Sequence, residues 1–343
     1  MEIIKFTLFA DFHYKKGMYI SPVSDMSEII SSAVASGSDF VLHAGDMCND
    51  YKGSPELISA YLGNPEGMAV YGVYGNHELE STDNSMNRVT PLLTNRPVVF
   101  GTADGETGDG SVAYYYFDKG KFRFICLDTN YSYSEERGVW EHNTERSYGA
   151  PKGNLYPDSL GPEQLEWLHL VLDATRAEKK HAILVSHAAF GGDAPKLSPD
   201  ASSVRRLIAL VNKEAPRTVI MAINGHYHTN HLTVSDGVVY LDTNTTRNGY
   251  WSSKAVPHYN DECFTFVDYD AEGTELSRIE RPVNKLRMSA NTWYFASPLY
   301  TVVTISTDGV IAVDGMEVGW LFGVDPNPDF FADPRITGGV LNF

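Results

Sequence analysis

The sequence is poor in cysteine, in long apolar runs and in basic residues, and each shortage excludes a class of protein. Its 343 residues include three scattered cysteines, Cys48, Cys126 and Cys263. An odd, scattered set predicts neither a disulfide framework nor a CxxC metal site, and it mildly favours a reducing compartment. The apolar runs are too short for a membrane-spanning helix, so we expect no membrane association.

Acidic residues outnumber basic ones. The chain has 27 Lys and Arg against 44 Asp and Glu, a formal net charge of −17. Such a surface repels nucleic acid, and no cluster of Lys and Arg is dense enough to build a basic groove. We therefore expect a small phosphorylated substrate and no nucleic-acid partner, while the oligomeric state stays open.

The first residues carry no targeting signal. The stretch MEIIKFTLFADFHY lacks the basic region, apolar stretch and small-residue cleavage site of a secretory signal peptide. It predicts a buried β-strand from residue 3 instead. We expect a cytoplasmic protein, although this start is also compatible with a leader that has been removed.

Strand and helix patterns alternate along most of residues 1–285, which predicts one α/β domain. Within it, residues 131–160 show no clear period and are rich in Tyr, Trp, Pro and Gly. A long irregular segment of this kind is typical of a functional loop. Residues 286–343 predict a small β-rich C-terminal appendage, because two Asp-Gly turn signals indicate a β-meander before a final coil.

Five predicted strands end in side chains that bind metals well. These ends are Asp11-Phe12-His13, Gly45-Asp46, Gly75-Asn76-His77-Glu78, Ser186-His187 and Gly225-His226-Tyr227-His228. A single strand end of this type would suit an ordinary turn. Because ligands collect at the carboxyl ends of strands in α/β sheets, the repetition predicts that all five ends converge on one site.

The donor types indicate which metals such a site would hold. The candidate ligands are Asp11, His13, Asp46, Asn76, His187, His226 and His228. Carboxylate, amide and imidazole donors without a thiolate favour Mn, Fe or Zn. Seven donors are too many for one ion, and they indicate two divalent or mixed-valence ions about 3.5–4 Å apart that share a carboxylate. The glycines before Asp46, Asn76 and His226 should let the backbone approach closely.

The ordered blocks D-x-H, G-D-x-x-N, G-N-H-E, S-H and G-H-x-H resemble the calcineurin-like metallophosphoesterase superfamily. The resemblance implies a four-layer αββα sandwich with a dimetal site at the strand ends. It implies that His77 is a general acid beside the metals. It also divides the ligands between two metals bridged by Asp46: Asp11, His13, Asp46 and His228 on one, and Asp46, Asn76, His187 and His226 on the other.

Two features bear on the branch of this superfamily. Purple acid phosphatases carry a tyrosine ligand to iron three residues after the bridging aspartate, whereas this sequence has Asn49 there. The pattern LGPEQLEWLHLVL is similar to a helix of the cyclic-nucleotide phosphodiesterase-like members. Together with the aromatic residues of the 131–160 segment, this similarity favours a phosphodiester or nucleotide-type substrate.

Other residues near the ligand set also have candidate roles. Asn49 could orient a ligand or contact phosphate, and Arg247 could pair with a phosphate oxygen. A turn residue and a surface arginine are the respective alternatives. Glu78 should support the loop, and His43 should be packed and hydrogen-bonded. His142, in the irregular segment, could touch substrate.

The expected reaction is hydrolysis of a phosphoester by a hydroxide that bridges the two metals, with His77 protonating the leaving group. The same core would serve a phosphomonoesterase acting on a small phosphorylated metabolite, which is the main alternative. A nuclease is disfavoured by the charge of the chain. A non-catalytic binding scaffold is disfavoured because all seven candidate ligands are present.

Overall fold

The computed structural model describes residues 1–14, 22–48, 55–79, 94–101, 112–135, 137–142, 158–228, 230–251, 263–269, 275–282, 292–316, 318 and 339–342. The α-helices in these ranges are α1 (Pro22–Ser36), α2 (Pro55–Leu62), α3 (Gly161–Ala177) and α4 (Ala201–Glu214). None of the described helices is both long and apolar enough to cross a bilayer.

Two large sheets contain most of the strands. The first has the spatial order β19 (Gly339–Asn342), β18 (Val310–Gly315), β17 (Thr301–Ser306), β1 (Ile3–Phe9), β2 (Phe40–His43), β3 (Val70–Gly72). The second has the order β11 (His231–Ser235), β12 (Val238–Asp242), β10 (Val219–Asn224), β9 (His181–Val185), β6 (Phe122–Cys126), β5 (Tyr115–Lys119), β4 (Val99–Phe100).

Three two-stranded sheets complete the described strands. They pair β7 (Tyr131–Ser134) with β8 (Val139–His142), β13 (Asn248–Trp251) with β16 (Thr292–Tyr294), and β14 (Cys263–Tyr269) with β15 (Glu275–Pro282). In the large sheets, β1, β2 and β3 run parallel, as do β6, β9, β10 and β12. The parallel strands therefore bring several carboxyl ends to the same edge of each sheet.

Aromatic side chains fill the space between the two large sheets. Phe6 and Phe40 stack with ring centroids 5.2 Å apart, and Phe117 and Phe124 stack at 5.0 Å. Phe6 also meets Phe124 edge-on at 5.4 Å, which joins the first sheet to the second. Offset and edge-on packing of this kind adds to the hydrophobic stabilisation of a buried core.

Helices cover the outer face of each sheet. On the first sheet, Met26 and Ile29 of α1 belong to the same buried cluster as Val41 of β2. On the second, Leu168 of α3 and Leu184 of β9 lie in another cluster, together with residues of α4. The layers therefore run α1/α2, first sheet, second sheet, α3/α4, which confirms the predicted αββα sandwich.

The predicted C-terminal meander is present in β17 and β18, and it continues the first sheet. Strand β17 pairs with β1, so that Ile3 lies opposite Ser306. Val303 and Ile305 lie in the core between the sheets. The boundary near residue 285 stays a prediction. The predicted terminal coil falls largely on 319–338, outside the described residues, whereas Gly339–Asn342 forms strand β19.

Part of the predicted irregular segment is regular. Residues 131–142 form the hairpin β7–β8, because Gly138 takes a left-handed φ of 69° and its N–H bonds the carbonyl of Ser134. Tyr133 and Trp140 face each other across the hairpin and are 53% and 40% exposed. Residues 143–157, with Tyr148 and Tyr156, lie outside the described residues.

A charged network on the second sheet gives the fold a dependence on pH. Arg123 and Lys180 donate to Asp118 at 2.8 and 2.6 Å. Burial alone would raise the pKa of Asp118, but these hydrogen bonds lower it below its ordinary value of 3.8. A carboxylate with a lowered folded pKa stabilises the fold above its unfolded pKa, and this contribution is lost as the pH falls through the folded pKa.

We therefore expect Asp118→Asn to destabilise the protein at pH 7 by no more than about 1 kcal/mol, because the carboxylate is partly exposed and screened. The difference from wild type should shrink toward zero as the pH falls below about 3.8. Urea unfolding at pH 7 and pH 3 measures it. A difference that grows on acidification would contradict the sign of the pKa shift.

Candidate metal centre

The loops that follow the first two strands are bonded to each other. The N–H groups of Asp11 and His13 donate to the carbonyls of Gly45 and Asp46, each at 2.9 Å. Thr245 Oγ1 donates to the Asp11 carbonyl at 2.5 Å. The parallel pairing of β1 with β2 is thus continued beyond the strands, and this brings the side chains of the two loops together.

Six of the seven predicted ligands, together with His77, meet in three overlapping groups, and within each group the donor atoms lie within 4.8 Å of one another. The groups are Asp11, His13 and His228; His13, Asp46 and His77; and Asp46, His187 and His226. Asp46 belongs to two of the groups, one with His13 and His77 and one with His187 and His226, so its carboxylate is placed to be shared. The side chains of all six non-amide ligands are largely buried.

Backbone strain is concentrated at these residues. Left-handed φ angles occur at Asp11 (51°), His13 (53°), Asp46 (58°), His226 (76°) and His228 (54°). Non-glycine residues rarely adopt this conformation, and it costs about 1–3 kcal/mol at each position. Five of the seven predicted ligands thus have an unfavourable backbone conformation, and the hydrogen bonds of the surrounding loops must offset its energetic cost.

Three glycines next to the ligands leave no room for a side chain, as the sequence predicted. A Cβ on Gly45 would lie 2.3 Å from Nδ1 of His187, and one on Gly75 would lie 2.0 Å from Oδ1 of Asp46. Gly225 is equally close to Asp11, with 2.5 Å from its Cβ position to Oδ2. The ligands of one loop therefore pack against the backbone of another.

We expect Gly45→Ala to displace His187 and to weaken metal binding by at least roughly tenfold, because loss of a positioning contact typically costs 10–100-fold. Gly237→Ala is the matched control. Gly45 and Gly237 both have left-handed φ angles, of 97° and 74°, but only Gly45 has atoms in the way. Metal titration of both variants measures the effect, and equal affinities would contradict it.

Glu78 organises the loops around the shared aspartate. Its carboxylate accepts hydrogen bonds from four backbone N–H groups, those of Gly75 (2.6 Å), Asp46 (2.9 Å), Met47 (2.5 Å) and Cys48 (3.2 Å). Burial raises the pKa of Glu78 to about 7. The side chain thus ties the loop after β2 to the loop after β3, which is the supporting role predicted for it.

Glu78→Gln should lower both thermal stability and metal affinity. The amide group would place an N–H₂ donor against backbone donors, and each buried group left unpaired costs about 1–3 kcal/mol. We expect metal affinity to fall by roughly 10–100-fold, as for other groups that orient ligands. Glu66→Gln, at an exposed position after α2, is the control. Calorimetric unfolding and metal titration compare the two, and a Glu78 variant matching the control would contradict this role.

The electrostatics of the cluster favour positive charge. Burial alone would raise the pKa of Asp46, but His187 and His77 hold it well below its usual range. Burial alone would lower the pKa of His187, yet Asp46 raises it to about 10. Nε2 of His187 lies 3.1 Å from Oδ2 of Asp46. A cation bound there would displace the added proton of His187, because a histidine ligand must be deprotonated.

Two other histidines of the cluster, His13 and His226, are shifted toward the neutral form that a metal ligand requires. Burial lowers the pKa of His13, and it lowers that of His226 to about 4. Nε2 of His13 lies 2.9 Å from Nε2 of His228, so the two rings direct nitrogens toward a common point.

Several buried polar atoms of the cluster fit a metal. Oδ1 of Asp11 and both amide atoms of Asn76 have no hydrogen-bond partner among the described residues. A buried polar group without a partner is costly, and a bound cation would satisfy these oxygens. Together with the nitrogen and oxygen donors around them, they match the ligand preferences of Mn, Fe and Zn.

His77, the predicted general acid, lies beside the ligands. Its ring meets that of His13 edge-on at 4.7 Å, and its Nε2 lies 3.9 Å from Oδ2 of Asp46. Its backbone N–H donates to Oδ1 of Asp46 at 2.8 Å. The ring is about one-sixth exposed, so it can reach a bound substrate.

Arg247 is placed differently from the prediction. Its Nε and Nη2 both donate to the carboxylate of Asp25, and its Nη1 donates to the carbonyl of Phe295 at 2.7 Å. The forked edge of the guanidinium that would bind phosphate is therefore occupied by α1. The structure assigns this arginine to an ion pair. Asn49 lies outside the described residues, and its role stays a prediction.

The structure also adds a network that the sequence did not reveal. His142 Nε2 lies 2.7 Å from Oδ2 of buried Asp128, whose Oδ1 accepts from Asn130 Nδ2 at 2.8 Å. The same Nδ2 lies 3.3 Å from the carbonyl of Gly75. Gln164 exchanges hydrogen bonds with the Asp128 backbone. The hairpin β7–β8 is thus anchored to the loop that carries Asn76 and His77. Gln164, the glutamine of LGPEQLEW, helps to hold Asp128 in this network.

Two further titratable residues, His43 and Asp158, lie near the cluster. His43 is buried against Phe9, and burial lowers its pKa to about 3. Its Nε2 has no hydrogen-bond partner among the described residues, so the predicted bonding is only partly present. Asp158 is buried beside His226 and was missed, because no sequence pattern marks it.

The model of the family described as calcineurin-like phosphoesterase matches residues 4–230. No curated protein matches the sequence significantly. Among solved structures, a dimetal phosphatase from Danio rerio aligns with a TM-score of 0.53 and 14% identity, covering 91% of this chain and 95% of its own. At that identity the likeness shows the fold alone.

Two other similar structures have lower scores. The GAP50 anchor of the inner membrane complex of Plasmodium has a TM-score of 0.47 and 13% identity, with 99% of this chain and 89% of that chain covered. A putative 5'-nucleotidase from Staphylococcus aureus has 0.44 and 16%, with 82% and 54% covered. The family match spans well over half of the chain and includes every block of ligands. The protein belongs to the calcineurin-like phosphoesterase family.

Proposed function

We propose that the protein hydrolyses a small phosphoester at a dinuclear metal centre, with a phosphodiester or nucleotide-type substrate favoured. The observation that carries the proposal is the convergence of six donors of metal-binding type from four strand ends, with His77 of a fifth strand end beside them. Three glycines leave room for this arrangement, and five of its residues keep a strained left-handed backbone. A cluster kept together against this strain is characteristic of a functional site.

The residues would divide between two ions that share Asp46. One ion would be held by Asp11, His13, Asp46 and His228, and the other by Asp46, Asn76, His187 and His226. Divalent Mn, Fe or Zn ions bound there would polarise a phosphoryl oxygen and lower the pKa of bound water. Two carboxylates against two divalent cations leave the site positive, which attracts an anionic phosphate even to a protein of net charge −17.

His77 is assigned to protonate the leaving oxygen. Its backbone N–H bond to Asp46 and its edge-on contact with His13 fix the ring next to the metal ligands. A proton donated to a departing alkoxide contributes roughly 10²–10⁴-fold to the rate of such reactions. Glu78 supports both residues, because its carboxylate accepts hydrogen bonds from the backbone of the loops on which Asp46 and His77 lie.

The hairpin β7–β8 supports the choice of substrate class. It begins directly after Asn130, which reaches the carbonyl of Gly75 in the metal loop. It carries the exposed pair Tyr133 and Trp140. Exposed aromatic rings anchored beside a phosphate site suit stacking on a base or another flat leaving group. The acidic surface argues for a small substrate and against a nucleic acid.

The proposal is tested with bis-p-nitrophenyl phosphate and p-nitrophenyl phosphate, using chelated enzyme reloaded with Mn, Zn or Fe. Metal-dependent preference for the diester would support a phosphodiesterase and would justify a panel of cyclic nucleotides. Preference for the monoester would favour the alternative, a phosphomonoesterase on a small metabolite. Inactivity toward both, with two metals bound, would favour a narrow natural substrate or a non-catalytic scaffold. Binding of DNA or RNA that falls with salt would favour a nuclease.

A further inference from the structure

Asp158 lies where the segment before α3 passes the metal cluster. It is 3% exposed and has a left-handed φ of 50°. Ser198 Oγ donates to its backbone carbonyl, which ties the segment to the loop between His187 and α4. One carboxylate oxygen, Oδ2, accepts from Lys196 at 2.9 Å. The other, Oδ1, lies 3.9 Å from Nε2 of His226.

The two ring nitrogens of His226 have different neighbours. Its Nδ1 lies 3.1 Å from Nε2 of His187, on the side of the cluster that contains Asp46. Its Nε2 lies on the side of Asp158. A neutral imidazole has one lone pair and one N–H. If Nδ1 offers its lone pair to a cation, the hydrogen must be on Nε2, and Asp158 is the carboxylate on that side.

We propose that Asp158 is a positioning residue of the metal centre. Its carboxylate accepts the Nε2 hydrogen of His226 and so orients Nδ1 toward the ion that Asp46 and His187 would also bind. A carboxylate behind a histidine ligand fixes its tautomer and its ring angle. We expect the 3.9 Å contact to shorten to about 2.9 Å, an ordinary hydrogen-bond length, when an ion fixes the ring. This inference rests on the proposed dinuclear centre.

Lys196 is the other partner of the Asp158 carboxylate and provides a matched control. Its side chain is 56% exposed and bonds the oxygen of Asp158 that faces away from His226. If Asp158 served only to pair with Lys196, removing either partner would have the same effect. If Asp158 positions His226, only the loss of Asp158 should change metal binding, because Lys196 does not touch a ligand in the described contacts.

The test is titration of the metal-free protein with Zn²⁺ by calorimetry, for wild type, Asp158→Asn and Lys196→Met. Asparagine keeps the size of the side chain and tolerates the left-handed backbone. We expect two ions in wild type, a roughly 10–100-fold weaker affinity at one of two sites in Asp158→Asn, and values near wild type in Lys196→Met. The rise in Tm on adding Zn²⁺ should shrink in Asp158→Asn alone.

Two results would overturn the inference: both affinities unchanged in Asp158→Asn, or the same loss in Lys196→Met. Should Asp158→Asn also lower the Tm of the metal-free protein, the ratio of the two affinities within that variant decides, since general destabilisation weakens both sites together. A wild-type protein that binds fewer than two ions would overturn the proposed function, and this inference with it.

Discussion

Replacing Asp46 by Asn should reduce metal-dependent hydrolysis by on the order of 10³-fold or more, since metal centres supply several kcal/mol to the transition state and each 1.36 kcal/mol is tenfold. Among the described residues, Asp46 is the carboxylate that belongs to two of the three candidate groups of ligands. Its Oδ2 lies 3.1 Å from His187 and 3.7 Å from His13. A neutral amide cannot bind two cations at once as a carboxylate can, so we expect at least one ion to be lost.

The measurement is metal content together with initial rates across Mn, Zn and Fe. Asp236→Asn is a close control, because Asp236 also has a left-handed φ, 53° against 58° for Asp46, but lies exposed in the turn between β11 and β12. The control should keep both metals and full activity. Wild-type turnover by Asp46→Asn would exclude a shared-aspartate centre.

Replacing His77 by Ala should affect substrates according to their leaving groups. A poor leaving group departs as a basic alkoxide and needs the proton of an acid, so its rate should fall by roughly 10²–10⁴-fold. A nitrophenolate departs without that help, and its rate should fall far less. A series of phosphoesters of graded leaving-group pKa measures this, and the rate of the variant should depend more steeply on that pKa than the rate of wild type.

The control for His77 is His169→Ala, a largely exposed position on α3 whose ring is paired with Asp173. That variant should retain the wild-type dependence on the leaving group. Metal content must also be checked, because His77 forms a compact group with His13 and Asp46. An equal loss for good and poor leaving groups, with both metals retained, would assign His77 to metal or substrate binding and not to proton transfer.

The metal cluster could be predicted from the sequence because its residues follow a local rule. Each predicted ligand follows a strand that hydrophobic pattern identifies, and parallel strands bring their carboxyl ends together. The glycine contacts followed from the same reasoning, since Gly45 and Gly75 precede ligands directly. The four layers could be predicted as well, because the family resemblance implied an αββα sandwich.

Other features depend on contacts between distant segments, and no local pattern marks them. Arg247 pairs with Asp25, which is 222 residues away in sequence. Asp158 reaches His226 from a segment whose composition shows only that it is irregular. The role of Glu78 was expected in outline, but its four backbone partners depend on how two loops fold around one carboxylate.

The pairing of β1 with β17 has a consequence for how the chain folds. Glu2 and Thr307 are joined by a hydrogen bond across 305 residues, and the strand that leads to Asp11 has β17 as one of its two neighbours. During synthesis on the ribosome, one edge of β1 stays unpaired until residues 301–306 have emerged. Such an open edge invites pairing with other chains, and distant contacts form slowly. Nascent protein should therefore depend on chaperones, and a chain truncated before residue 301 should aggregate and not assemble the centre.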